Sequence, residues 1–405
     1  MPAIAGSFPG ARRDDLTPEC FRCLLHSHRM IAFLNSERFG AAQFVAGAIL
    51  ILFLAQCVWV SSHISLSDRE VAHVIGGQHQ WRGSASVNEL PSPVTGLIGS
   101  VFVIGSHPAA DIIPLSWRWL TRLPFMAMGI LFGASIWYVA RRLYGNVAGF
   151  IALILYSFSP IAIVRASTVQ PNVIADWGAF GAIFTAIGLA HTLYAPREVV
   201  LWNWKRILLL GIALGLATAA QIAVVILIPI AMAFMWYLAP ERRGAATAIM
   251  LAGCAIGFLI LLATYGFHFG ALMESVRASH LYDLRLSMFT SRMTYTMLAL
   301  FLLRQPTSLL LFVVALVAYV SWKRTRFFGT AAPLLVITVL AVFGILMPHQ
   351  GGLGFYVMAL PFAYVFISGV MIDLLESKQA PIMLGLVIGV LLGHIGMNMV
   401  WLTRL

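Results

Sequence analysis

Stretches of about 15 to 22 apolar residues recur along the whole chain, separated by short charged or polar connectors, and helices of that length match a hydrocarbon core roughly 30 Å thick. The pattern predicts membrane-crossing helices near residues 41–61, 123–140, 147–164, 173–194, 207–220, 222–239, 247–265, 307–322, 331–347, 355–372 and 381–402. The run 207–238 is unbroken, but as one helix it would measure about 48 Å, too long for a single pass. A tight turn near Gln221 divides it.

Charge placement agrees with that division. Arg197, Lys205 and Arg206 precede the run, and Arg242 and Arg243 follow it; short basic loops stay on the cytoplasmic side. Arg141 with Arg142, and Lys323, Arg324 and Arg326, then fall on that same side. The expectation is a cytoplasmic N-terminus, eleven passes and a C-terminal tail facing out. Loops 62–122 and 266–306 and the small turns 165–172 and 348–354 then lie outside. Neither an internal repeat nor a pair of broken helices in matching halves is legible, which weighs against an inverted-repeat transporter.

Composition sharpens the picture. About 60% of residues are hydrophobic and 10% charged, against roughly a quarter charged in soluble domains. The net charge of +11 sits in short connectors and reflects orientation, so no nucleic-acid partner is expected. The expected division is a cytosolic segment, 1–40, and one transmembrane domain, 41–405, with no soluble domain after it. The first apolar run is too long for a signal-peptide core and is read as an anchor. Cys57 and Cys254 lie inside apolar runs, while Cys20 and Cys23 form C-x-x-C with His26 and His28 nearby. An ordinary cytosolic thiol pair is preferred there to a compact zinc site.

The ionisable residues gather just beyond the first pass, in LSDREVAHVIGGQHQWRG. Ser67-Asp68-Arg69-Glu70 has the spacing of a capping box, which starts a helix. On that helix Val71, Val74 and Ile75 form an apolar stripe, with Arg69, Glu70, His73 and Gly77 on the other side. Such a helix lies at the membrane interface. Cap and surface roles alone account for Ser67 and Glu70; a polar face turned into a cavity accounts for the rest.

The stretch resembles the first outer loop of GT-C-fold membrane glycosyltransferases, the group of protein O-mannosyltransferases and aminoarabinose transferases, which read D-E-x-x-H-x-x-x-G-x-x-x-W. Glu70, His73, Gly77 and Trp81 match in register, and Asn88 to Pro93 resembles a reduced N-P-E-H-P-P element. Tyr138 to Gly145, Ser159-Pro160, Gln170-Pro171-Asn172, Gly211 to Gln221 and Leu360-Pro361-Phe362 are similar to later motifs of the group. The resemblance implies an all-α, polytopic GT-C-like fold. It implies a polyprenyl-phosphate-linked sugar as donor and a lipid, glycan or protein acceptor, handled among membrane lipids at the outer face of a bacterial-type plasma (inner) membrane. A first-loop carboxylate would be the base. The departures are specific: the family's first acid falls on Arg69 with Asp68 displaced by one, its second on Asn172, its lysine on Gln221, and no arginine precedes Tyr356.

Glycosyl transfer needs a base for the acceptor hydroxyl and cations for the departing phosphate. Asp68, Glu70 and His73 are the catalytic candidates. Arg118, Arg122, Arg165, Arg292 and Arg304, each near a helix end, are the candidate phosphate ligands, and Arg69 beside the carboxylates joins the substrate-binding set; arginine suits bidentate binding, though snorkelling is the plainer role for each phosphate candidate. Asn172, Asp176, His349 and Gln350 complete the expected substrate-binding set, Asp176 because an intramembrane acid is costly unless used. No metal ligands or cofactor are expected; a divalent cation is compatible with the chemistry but is not predicted. The rival readings are a non-catalytic homologue that binds lipid-linked glycan or scaffolds membrane proteins, and a transporter or lipid flippase.

Overall fold

The computed structural model describes residues 40–83, 92–105, 115–194, 204–279, 284–347, 354–376 and 380–404. The chain divides into two compact units, Met1–Ala48 and Ile49–Leu405. In the first, the described residues are the opening turns of a helix, where the Gln43 side chain accepts a hydrogen bond from the Gly40 N–H at 3.0 Å.

All regular elements among the described residues are helices. In order they are α1 (Ala41–His63), α2 (Asp68–Trp81), α3 (Pro93–Ser100), α4 (Leu115–Leu120), α5 (Leu123–Tyr144), α6 (Asn146–Ser157), α7 (Pro160–Ala166), α8 (Asn172–Thr192) and α9 (Trp204–Ala220). Then come α10 (Leu227–Leu238), α11 (Arg243–Thr264), α12 (Phe269–Ala278), α13 (Arg292–Arg304), α14 (Pro306–Ser321), α15 (Phe328–Leu346), α16 (Gly354–Leu375) and α17 (Ala380–Leu402). Each predicted apolar run falls on helical structure, the run 147–164 being divided between α6 and α7. Among the described residues, seven spans are long and apolar enough to cross a membrane, or up to nine if each of two bent pairs is one span. The described residues have the all-α architecture of a multi-pass membrane protein.

The bent pairs are α6 with α7 and α13 with α14, a feature the sequence reading did not expect. Ser159-Pro160 and Gln305-Pro306 mark the breaks; proline cannot donate to the preceding turn. The two breaks meet, with Ser159 Oγ 3.3 Å from Gln305 Oε1.

The division of the run 207–238 falls at Gln221, which is extended (φ −150°, ψ 107°). Gly178 of α8 sits against Ala213 and Ala217 of α9, while Arg242, just past α10, donates to the Leu193 carbonyl at the far end of α8. The chain therefore runs up α9 antiparallel to α8 and returns through α10. Helices α9 and α11 approach through small residues on both sides: a Cβ on Gly211 or Gly215 would strike Ile256 or Ile260, and one on Gly257 would lie 3.2 Å from the Gly211 carbonyl. This is the close packing that glycine at i and i+4 permits in a membrane.

Two helices form the centre. Helices α8 and α16 are mostly buried, whereas the other spans are buried over less than half of their length. They meet at Phe180 and Phe362, with ring centroids 5.3 Å apart.

Candidate functional site

Ser67 caps α2: its Oγ accepts from the Glu70 N–H at 3.3 Å, and the Glu70 carboxylate accepts from the Ser67 N–H at 2.9 Å. The reciprocal pair satisfies two backbone donors at a helix start. The same carboxylate takes a fork from Arg122, Nε to Oε1 at 3.0 Å and Nη2 to Oε2 at 2.9 Å. The Val169 N–H adds 2.9 Å to Oε1, and Ser67 Oγ 3.1 Å to Oε2. Glu70 thus joins α2, the start of α5 and the turn 165–172. The turn 165–172 thereby sits against the loop that follows α1.

Both members of this pair are closed in. Glu70 is 2% exposed and Arg122 0%. The rest of the Arg122 guanidinium is spent on the Ser61, Ile64 and Ser65 carbonyls and Ser61 Oγ. No N–H of Arg122 is left for a phosphate. That corrects the expected role of Arg122. Burial pushes the Glu70 carboxyl up, but the Arg122 hydrogen bonds, the Ser67 and Val169 amides and the Arg122 charge outweigh it, so it is held below its ordinary value of 4.5. A depressed carboxyl stabilises the fold above that ordinary value and loses the contribution as pH falls through the lower folded value. Wild-type thermal stability is accordingly expected to drop on acidification below pH 4.5 more steeply than that of a Glu70→Met/Arg122→Met variant. Equal acid slopes in a melting series would contradict this.

The faces of α2 differ from the sequence expectation. Glu70, Val74, Gly77 and Gln78 are buried, the i, i+4, i+7, i+8 set of one helix face. Arg69 and Asp68 are exposed; Arg69 does not share the Glu70 face. A fixed partner allows an acid to be buried on the same face as valine, and hydropathy alone cannot register that. Since α2 already includes Asp68, that acid points about 160° away from Glu70. His73 is half-buried, and its Nδ1 has no partner among the described residues. Burial holds its ring below the ordinary value despite the opposing Glu70 charge, which favours neutral imidazole.

Gly77 explains itself at the α2–α3 crossing. A Cβ there would collide with the Gly96 carbonyl, and one on Gly96 would lie 2.7 Å from the His73 carbonyl. Trp81 Nε1 donates to the Leu97 carbonyl at 3.1 Å, and Gln78 Nε2 to that of Val103 at 2.5 Å. Gln80 donates to the Thr264 carbonyl at the end of α11, and Ser92 Oγ to that of Ala219 at 3.5 Å. The ends of α1, α5, α9 and α11 and the turn 165–172 therefore gather beneath α2 and α3.

A second ion pair lies on that turn. Arg165 Nη1 is 2.5 Å from Asp176 Oδ2, the two being 13% and 7% exposed. The other N–H groups of Arg165 have no protein partner among the described residues. The pair lines a cavity of about 20 Å³ with Tyr156, Ser159, Val173 and Tyr364. About 10–15 Å³ accommodates a water, so the cavity takes water and a larger ligand meets the pair from outside. Asn172 opens α8 one turn before Asp176 and donates to Gln170 Oε1 at 3.1 Å. Arg118 is half-buried and donates to the Ser62 carbonyl at 3.0 Å. Arg292 is exposed. His349, Gln350, Asn88 and the Cys20–Cys23 pair lie outside the described residues, as does the side chain of Arg304. Among the described residues no group of three His, Cys, Asp or Glu is placed to hold a metal ion. Ser159 is legible in the sequence only as part of a Ser-Pro motif and Tyr364 not at all; a Ser-Pro pair and a tyrosine inside an apolar run carry no signal for a shared cavity.

Residues 115–267 match the family described as dolichyl-phosphate-mannose-protein mannosyltransferase. No curated protein matches the chain. Among solved structures it is similar to the archaeal oligosaccharyltransferase AglB from Archaeoglobus fulgidus, in complex with an inhibitory peptide and a dolichol-phosphate (TM-score 0.51, 14% identity, 89% of this chain and 55% of that one). An Archaeoglobus fulgidus oligosaccharyltransferase in complex with zinc and sulfate is similar at TM-score 0.50 and 14% identity, over 86% and 52%. The chain spans about half the length of these enzymes. It has the GT-C fold of membrane glycosyltransferases, and the segment carrying Arg122, Arg165 and Asp176 is the one that matches the mannosyltransferase family.

Proposed function

We propose that this protein transfers a sugar from a polyprenyl-phosphate donor to a lipid, glycan or protein acceptor on the extracytoplasmic face of the plasma membrane. The observation that carries the reading is Arg165. It is a cation with most of its fork open, on the turn that Glu70 pins through Val169, and open guanidinium groups suit phosphate. Asp176 orients it. Asp68, exposed and without an ion-pair partner among the described residues, is the first-loop carboxylate with lone pairs free to take the acceptor proton. Glu70 and Arg122 are positioning residues. Arg118 and Asn172 flank the same end of the bundle, and His73 in its neutral form is a second proton acceptor. The basic loops support a cytoplasmic N-terminus, with residues 1–40 read as a cytosolic segment preceding the transmembrane domain.

The test is donor turnover. Purified protein in lipid, given a panel of polyprenyl-phosphate sugars, is expected to release lipid phosphate from at least one. Arg165→Lys should lower the rate by about 10²-fold, the scale of one lost transition-state donor, and Asp68→Asn by about 10²- to 10⁴-fold, the scale of a general base. Binding without turnover across the panel would favour a non-catalytic lipid-glycan binder, the reading to which the saturated Glu70 carboxylate points. The bent helices and the Arg165–Asp176 pair are features a transporter would share. The α6–α7 bend and the Arg165–Asp176 pair lie within the segment that matches the mannosyltransferase family, so transfer is preferred. Sidedness has its own check: a cysteine at Ser84 should react with impermeant reagent from outside, and labelling confined to the cytosolic side would overturn the proposed topology.

A further inference from the structure

Helix α11 ends in a turn that spends conformational strain. Gly266 (φ 59°) and Phe267 (φ 62°) both adopt the left-handed conformation, and the Phe267 N–H closes the helix on the Leu262 carbonyl at 2.8 Å. Phe267 is the one non-glycine residue with positive φ among the described residues, and a bulky residue is disfavoured there. The turn throws its ring outward, 69% exposed.

Helix α12 follows at once. Its narrow buried side, Ala271 and Leu272, packs on Tyr265, whose hydroxyl is 2.7 Å from Ser275 Oγ. Its outward stripe is Phe269 (58% exposed), Met273 (37%) and Arg277, also exposed, at i, i+4 and i+8. The stripe follows directly on α11, a helix long and apolar enough to cross the membrane, on which Leu251, Phe258 and Leu259 are exposed. A stripe that starts within one turn of the span's end and finishes in an arginine has the layout of an interfacial element: aromatics at the acyl boundary, cation among the phosphates.

We propose that Phe267, Phe269, Met273 and Arg277 form a wedge seated in the headgroup layer of the leaflet at the Glu70 end of the bundle, its occupant being phospholipid. Gln80 of α2 holds the Thr264 carbonyl at the wedge's root, so the wedge fixes the depth of α2 relative to the membrane. Arg277 selects anionic headgroups.

The experiment uses the full chain in vesicles of phosphatidylethanolamine with phosphatidylglycerol, with an environment-sensitive fluorophore on a cysteine at position 269 or 274. Lipids spin-labelled near the headgroup should quench Phe269→Cys about threefold or more beyond Glu274→Cys, as expected for an interfacial helix with one inserted face. Replacing phosphatidylglycerol by phosphatidylcholine should reduce that quenching. Phe267→Asn tolerates the left-handed turn; in its background quenching at 269 should fall while the melting temperature holds. Water-like emission and equal quenching at 269 and 274 would overturn the wedge, and so would quenching at 269 that appears only when another protein is added. No sugar donor enters the measurement, so a failure of the glycosyl-transfer reading leaves it standing, and its own failure leaves turnover untouched.

Discussion

Glu70→Gln should destabilise the fold by about 3–5 kcal/mol, because it leaves the Arg122 guanidinium buried without a counter-charge. The sequence alone suggests the opposite, a variant that loses transfer while folding normally, since the change keeps shape and removes one charge. The structure reverses this expectation, for Arg122 is 0% exposed and its fork is fixed on that carboxylate. The double variant Glu70→Met/Arg122→Met removes both charges and should recover most of the loss, as apolar replacements of buried ion pairs do. Thermal unfolding of the three proteins in the same detergent decides it. A Glu70→Gln variant as stable as wild type would mean that the knot opens readily and that Glu70 is free to act as a base.

Gly77→Val should disrupt the cap formed by α2 and α3 more severely still. The first carbon of the new side chain meets backbone, the Gly96 carbonyl, and not a side chain able to swing aside; backbone displacement is costly in close-packed surroundings. The expected result is protein that inserts but exposes the α2–α3 crossing, seen as accelerated hydrogen exchange at residues 70–81 and loss of lipid-phosphate release. Gly77→Ala should be milder in degree and identical in kind. Normal exchange in both would show that α2 and α3 do not meet as closely as described.

What was legible in the sequence is what depends on neighbours in the chain. The apolar runs, the division at Gln221 and the Ser67–Glu70 box are local, set by run length, flanking charge and a fixed spacing. What was not legible depends on partners far away: Arg122 is 52 residues from Glu70 and Val169 is 99, and nothing in either stretch names the other. The buried face of α2 was misread for the same reason, since periodicity sorts residues by hydropathy and a paired acid breaks the sorting. Ser159-Pro160 stood in plain view as a motif, yet a proline inside an apolar run signals a bend without saying how far the chain turns. Arg165 and Asp176 were each visible as candidates, but that they pair became evident only with α7 folded against α8.

Helix α16 has a consequence for how this protein tolerates change. Sixteen of its 22 residues are buried, including the run Pro361 to Met371, so it presents almost no surface to lipid. On α17, by contrast, Leu386, Ile388 and Leu392 are about half exposed or more, where one branched aliphatic serves as well as another. The inner helix obeys the rules of a soluble core, in which a single methylene gained or lost is felt. Drift should therefore accumulate on α17 and be nearly forbidden on α16, although both read as equally featureless apolar strings.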